Sequence, residues 1–354
     1  MGIILPLLII ILSSYLLWKS CADFDRNSKI IGTKLTHGVR GATINAIGSS
    51  LPEFFTSFFF LIILQDVSGF SSGLSTILGS AIFNILLIPA VVLYILIKND
   101  HNLLINKKLI IRDAGILLVS QLFLLYLMQD GTISLIDSTV LFIIYIGYLL
   151  VLSRGGLFDK SEDKKIYKER RRRSWNKILL SVFKISIWCL FLVYSCEILF
   201  TGRFPSYLSF LNFEGGFGFE NIMFVALIFA AAASSVPDLF ISALDAKSGD
   251  VDDSLSNPIA SNLFDICIAF GVPLFIYSLF HGEISFDENT AVFEDIYSLI
   301  LIMIGITISF LLSILLSNRY TMYHVVFFIL LFLGFIISVF HLDVVFNYIS
   351  SFFY

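Results

Sequence analysis

Charge is scarce in this chain. Asp, Glu, Lys and Arg make up 14% of its 354 residues, against about 25% in an ordinary soluble domain, so a water-soluble globular protein is excluded. Cysteine is nearly absent: Cys21, Cys189, Cys196 and Cys267 show neither metal-ligand spacing nor a paired framework, which removes a disulfide scaffold and a structural zinc site. They read as small apolar residues in buried or lipid-facing positions. Met1 to Trp18 lacks a basic n-region and a small-residue cleavage site, so it reads as a first membrane helix rather than a secretory signal. Basic residues are also missing from every second connection between apolar segments, and that gap carries topological information.

What the chain has is apolar length. Hydrophobic residues reach 57% and the mean hydropathy is +0.90. Ten segments long enough to span a bilayer are expected at about 3–18, 42–64, 74–97, 109–128, 133–153, 178–200, 221–245, 255–280, 296–316 and 321–340. Twenty-one of the 23 Lys and Arg fall in the connections after odd-numbered segments, Lys184 lies inside the sixth segment, and the opposite side holds only Arg203. Basic residues beside spans stay cytoplasmic, which predicts both termini outside, at the plasma membrane. The longest connection carries Arg170-Arg171-Arg172-Arg173; it reads as the topological signal itself, in contact with anionic lipid and not with nucleic acid. It divides the chain into a first five-helix half (1–153), a basic cytoplasmic loop (154–177) and a second five-helix half (178–354). The aromatic tail from His341 to Tyr354 is expected at the outer interface.

The halves repeat. Gly48-Ser49-Ser50-Leu51-Pro52-Glu53-Phe54-Phe55-Thr56-Ser57 aligns at constant offset with Ala233-Ser234-Ser235-Val236-Pro237-Asp238-Leu239-Phe240-Ile241-Ser242. Gly79-Ser80-Ala81-Ile82-Phe83-Asn84 then pairs with Ala260-Ser261-Asn262-Leu263-Phe264-Asp265. The repeats cover about 40–95 and 225–280. Five spans separate the copies, an odd number, so the copies run in opposite directions through the membrane. The predicted fold is an all-α membrane protein of ten transmembrane helices in two inverted five-helix repeats, the plan in which secondary transporters bind substrate at the midplane.

Glu53 and Asp238 lie near the middle of their spans, where an ionised carboxylate must face a partner, a cavity or an ion. Each follows a proline. Pro52 and Pro237 remove the hydrogen bond to the carbonyl four residues earlier, on Gly48 and Ala233, and loosen those of Ser49 and Ser234. Non-helical backbone at this depth is tolerated only where it lines a cavity or binds something. Ser80 with Asn84, and Ser261 with Asp265, share helix faces at i, i+4. Convergence of the four helices would assemble Glu53, Asp238 and Asp265 opposite Asn84. These are hard oxygen ligands suited to calcium or sodium, and the absence of His and Cys from the set argues against zinc and copper.

These stretches resemble the α-repeats of the cation/calcium exchanger superfamily, and within it the sodium/calcium exchangers. Gly41-Ala42-Thr43 through Glu53 is similar to the first repeat; Ser235-Val236-Pro237-Asp238 and Ser261-Asn262-Leu263-Phe264-Asp265 are similar to the second. Glutamate in one repeat with aspartate in the other, together with Gly79 to Asn84, leans toward the potassium-dependent branch. The resemblance implies ion-ligand roles for Glu53, Asp238, Ser49, Ser234, Ser50, Ser235, Ser80, Asn84, Ser261 and Asp265, and for the carbonyls of Ala46 and Ala231. It also implies calcium and sodium as transported ions, potassium as a third candidate, no cofactor, and no enzymatic reaction. The chain departs from the family at Ala233-Ser234-Ser235, usually Gly-Thr-Ser, and at Ala81, usually Asn; both bear on ion selectivity more than on fold. The alternative is a calcium/proton or other divalent antiporter, but the serine-rich set favours sodium and the Gly-Asn motif usual in proton-coupled relatives is missing. An intramembrane aspartyl protease using Asp238 and Asp265 is more remote, because its Gly-x-Gly-Asp signature is absent and Glu53 would have no role.

Overall fold

A computed structural model of the chain describes residues 3–31, 43, 46–99, 105–154, 164–201, 223–286, 290–317 and 319–339. Among these, nine helices are long and apolar enough to cross a membrane, and the shorter apolar helix Leu51–Leu64 makes the tenth. In chain order they are α1 (Ile4–Ile31), α2 (Ala46–Ser49 and Leu51–Leu64), α3 (Val67–Lys98), α4 (Lys107–Leu127), α5 (Leu135–Arg154), α6 (Lys164–Thr201), α7 (Met223–Ser248), α8 (Val251–His281), α9 (Thr290–Leu316) and α10 (Met322–Val339). Arg203 and the tail from His341 lie outside the described residues.

Two helices are longer than hydropathy alone suggests. α1 continues past Trp18 to Ile31, so Lys19 and Arg26 belong to its second half rather than to a loop. Its polar residues there bond within the helix, as Asn27 does to the Asp23 carbonyl oxygen at 2.6 Å. α6 begins at Lys164 and carries the arginine run on its first turns; Lys, Arg and Glu are good helix formers, and an apolar span behind them lets the helix propagate outward.

Packing divides the bundle in two. α1 and α6 lie along one another and share a hydrophobic cluster (Leu17, Cys21, Ile185, Cys189, Leu192) with one side of α2 and α7. The other helices enclose a larger core through Leu74, Ile85, Leu117, Ile259, Phe270, Met303 and Phe328. A two-stranded antiparallel ribbon joins the α4–α5 and α8–α9 connections: β1 (Thr132–Ile133) pairs with β2 (Ile284–Ser285), Thr132 opposite Ser285. These two connections are therefore at the same end of the molecule, opposite the end that carries Lys98, Lys107, Lys247 and Arg319.

Small residues let the repeat helices approach. A Cβ on Gly79 would collide with the Leu227 carbonyl oxygen and the Ala231 side chain of α7, and one on Gly48 would come within 2.6 Å of the Phe24 ring of α1. Close backbone contact of this kind is how membrane helices associate where burial of apolar surface gives little drive.

Candidate cation-binding site

The site is built from broken helices. α2 departs from helical geometry at Ser50 (φ −88°, ψ 1°), and α7 is interrupted more mildly at Ser235 (φ −77°, ψ −6°), which stays in the right-handed region. Pro52 and Pro237 sit in the first turn of the helix that restarts, where a missing N–H costs nothing. Gly48 and Ala233 lie in the turn before each break. Three wide π turns accompany the breaks: Phe83–Leu87 in α3, Ala226–Ala230 in α7 and Asp265–Phe270 in α8. Asn84 and Asp265, equivalent in the repeats, thus both fall at the start of a π turn, as its second and its first residue, a feature frequent at functional sites. In α8, Pro273 has no N–H for the carbonyl of Ala269, and the Ser57 hydroxyl of α2 donates to that oxygen instead, at 2.6 Å.

The expected side chains do converge, all fully buried. The Ser80 hydroxyl of α3 donates to Glu53 Oε1 of α2 at 2.9 Å. In the inverted copy the Ser261 hydroxyl of α8 donates to Asp238 Oδ1 of α7 at 2.8 Å. The halves are then cross-linked: Ser235 donates to Ser80 Oγ at 2.8 Å, and Ser49 and Ser261 share a hydrogen bond of 3.1 Å. Asn84 Nδ2 reaches Asp238 Oδ2 at 3.0 Å. Each carboxylate is thus oriented by a serine from its own repeat, and each serine by a hydroxyl of the other repeat.

Several buried oxygens are left without a hydrogen-bond donor: Glu53 Oε2, Ser50 Oγ, Asn84 Oδ1 and both carboxylate oxygens of Asp265. No Lys, Arg or His of the described residues pairs with these carboxylates; Arg112 of α4 pairs instead with its neighbour Asp113, at 2.7 Å. A buried anionic oxygen without a donor or counter-charge is strongly unfavourable unless a cation or proton satisfies it. Among the described residues no three acidic, His or Cys side chains form one compact metal cluster; the oxygens gathered here are of carboxylate, hydroxyl and amide groups. Such a set suits a hard cation. Ala46 O and Ala231 O both accept helical hydrogen bonds, from the N–H of Ser50 and of Ser235 at 3.0 Å each, and additional serine hydroxyl bonds; Ser234 serves that role toward Ala231 at 3.2 Å.

One member was not evident in the sequence. Asn262 of α8 accepts from Asn84 Nδ2 at 3.0 Å and donates to the Ala81 carbonyl oxygen at 2.9 Å. It bridges the two repeats at the position where the first repeat has alanine. The Ala81/Asn262 mismatch between the repeats was the signal that could have found it.

Comparison with known proteins agrees with this architecture. Residues 2–154 and 220–341 match the family described as sodium/calcium exchanger protein. The sodium/potassium/calcium exchanger Nckx30C of Drosophila melanogaster is 33% identical over 147 residues, which is 41% of this chain and 16% of that protein; the matched part is thus a small share of the relative's length. The sodium-calcium exchanger NCX_Mj has the same fold, with a TM-score of 0.62 at 22% identity over 95% of this chain and 99% of that one. The H+/Ca2+ exchanger CAX superposes with a TM-score of 0.61 at 15% identity, over 99% and 91% of the two chains. With inverted α-repeats, paired buried acids and a family match across both halves, this multi-pass membrane protein belongs to the sodium/calcium exchanger family.

Proposed function

We propose that the chain is a secondary antiporter that moves calcium one way and sodium the other through the site between α2, α3, α7 and α8. The observation that carries this reading is the pair Glu53 and Asp238, buried at repeat-related positions, each held by a serine, with Glu53 Oε2 and both oxygens of Asp265 free to meet a cation. Glu53 and Asp238 hold the divalent ion. Ser49, Ser50, Ser80, Ser234, Ser235, Ser261, Asn84 and the carbonyls of Ala46 and Ala231 complete calcium and sodium positions around it, and Asp265 supports a monovalent ion, sodium or potassium. Calcium and sodium compete for the same carboxylates. Mutual exclusion couples the two fluxes when the helices carrying the site expose it to one side at a time.

The units of this cycle are the halves 1–153 and 178–354, with the basic segment 154–177 on the cytoplasmic side, both termini outside and the plasma membrane as location. Calcium uptake into vesicles under an imposed sodium gradient tests the reading. Uptake driven by sodium supports it; uptake driven by a pH gradient alone, with no response to sodium, replaces it with proton-coupled antiport.

A further inference from the structure

α10 does not pack along α9, its neighbour in sequence. It lies chiefly against α3, with Phe332 edge-on to Phe83. α9 and α10 meet near their connection, where the Tyr320 hydroxyl donates to the Ile314 carbonyl oxygen at 3.1 Å, and between them is a groove of about 450 Å³. Its walls are Leu312, Ser313 and Leu316 from α9 and Tyr323, His324 and Phe327 from α10. Its apolar residues Leu312, Leu316 and Phe327 are exposed on the outside of the bundle, and the groove has room for an acyl chain.

One end of the groove is cationic. Lys107, at the start of α4, donates to the Leu315 carbonyl oxygen at 3.0 Å, one residue from the groove wall. Arg319 is exposed in the connection four residues further on, and no carboxylate of the described residues pairs with it. The chain has no acidic residue between Asp295 and Asp343, so α9 beyond its first turns and α10 carry none; the acid beside this end is Asp252 of α8, whose carboxylate accepts from the Asn106 amide, next to Lys107, at 3.2 Å. His324 is fixed by Ser317 at 2.6 Å and by the Thr321 amide at 3.2 Å, which holds the first turn of α10, with its N–H groups, at the same end.

We propose that this groove binds one anionic phospholipid, its acyl chain between α9 and α10 and its phosphate between Lys107, Arg319 and the first turn of α10. The features are complementary to such a lipid along their whole length: apolar walls at hydrocarbon depth, then cations at the interface, which is how basic pockets between membrane helices select acidic headgroups. The site is remote from Glu53 and Asp238 and does not rest on the antiport reading.

Native mass spectrometry of the full chain in detergent, titrated with phosphatidylglycerol or phosphatidylcholine of equal chain length, tests it. One phosphatidylglycerol should be retained in preference to phosphatidylcholine. Lys107→Gln and Arg319→Gln should each lower that preference about fivefold, since each cation near a phosphate contributes a factor of this order. Ser313→Phe should block the groove without changing charge and lower retention of phosphatidylglycerol, and Lys247→Gln, at the same end but outside the groove, should leave the preference intact. Equal retention of the two lipids by the unaltered chain would overturn the proposal. So would a preference that survives both charge changes and Ser313→Phe, or a dimer in which a second copy covers the groove.

Discussion

At the scale of single residues, the three buried acids have different surroundings and should respond differently to neutralisation. Glu53→Gln and Asp238→Asn each remove a charge from a carboxylate that a serine already orients. Each should weaken calcium binding about tenfold or more, with ~1.4 kcal/mol for each factor of ten; calcium uptake against a sodium gradient at varied calcium measures this, and full transport by both variants would remove them from the site. Asp265 has no hydrogen bond of ordinary geometry on either oxygen, and the Ser50 hydroxyl is the polar group beside it. Asp265→Asn should reduce monovalent-ion activation more than calcium affinity, because two carboxylates remain for the divalent ion. Sodium-driven flux with and without potassium separates the cases, and a calcium defect as deep as that of Glu53→Gln would make Asp265 a calcium ligand. Asn262→Ala removes the buried bonds to the Ala81 carbonyl oxygen and from Asn84 Nδ2; each buried hydrogen bond contributes about 0.5–1.5 kcal/mol, so the thermal midpoint of the purified chain should fall.

At the scale of elements, the contact of α3 with α7 depends on Gly79, where any Cβ meets backbone of the facing helix. Gly79→Ala should destabilise by about 1–3 kcal/mol, the usual cost of overpacking. Gly147→Ala in α5, where a new Cβ meets nothing within 4 Å, should be neutral or slightly stabilising, because alanine is the better helix former. Thermal unfolding of the two variants side by side decides this. Element existence was legible in the sequence because uncharged apolar runs of span length rarely form anything but membrane helices. Element ends were less so: the charged second half of α1 and the basic first turns of α6 are helical although hydropathy ends before or starts after them. The π turns were not legible. Two of the three, Phe83–Leu87 and Asp265–Phe270, lie just before a proline, Pro89 and Pro273, and in α8 the facing helix α2 supplies a replacement donor through Ser57 to Ala269; hydropathy has no record of such distant donors.

At the scale of the whole molecule, the inverted repeat was readable from two motif pairs. What the motifs could not supply was which residues meet across the pseudo-symmetry. Ser235 bonds Ser80 while Ser49, not Ser50, bonds Ser261; the two copies are alike in sequence but not identical in registry. The orientation proposed above, with both termini outside, rests on the 21 basic residues in alternate connections of the sequence. A single cysteine introduced at Tyr354 should react with an impermeant thiol reagent from outside the cell, and one on the segment after Asp159 only from inside. The four native cysteines are buried and should stay silent in this assay. Labelling at Tyr354 only from inside would reverse the orientation.

The small ribbon of β1 and β2 has a mechanical consequence. It fastens the α4–α5 hairpin to the α8–α9 hairpin, one from each half, away from the basic end, and the Phe286 amide adds a hydrogen bond of 3.0 Å to the Gly131 carbonyl oxygen. Both hairpins belong to the larger core; α1 and α6 take no part in the clasp. A clasp at one end leaves the larger core little freedom to splay there, so displacement during a cycle falls on the seam where α1 and α6 meet α2 and α7. Deuterium uptake at the Phe286 amide should then be equally slow in calcium and in sodium, while uptake along that seam depends on the ion; ion-dependent uptake at Phe286 would mean that the clasp itself opens with each turnover.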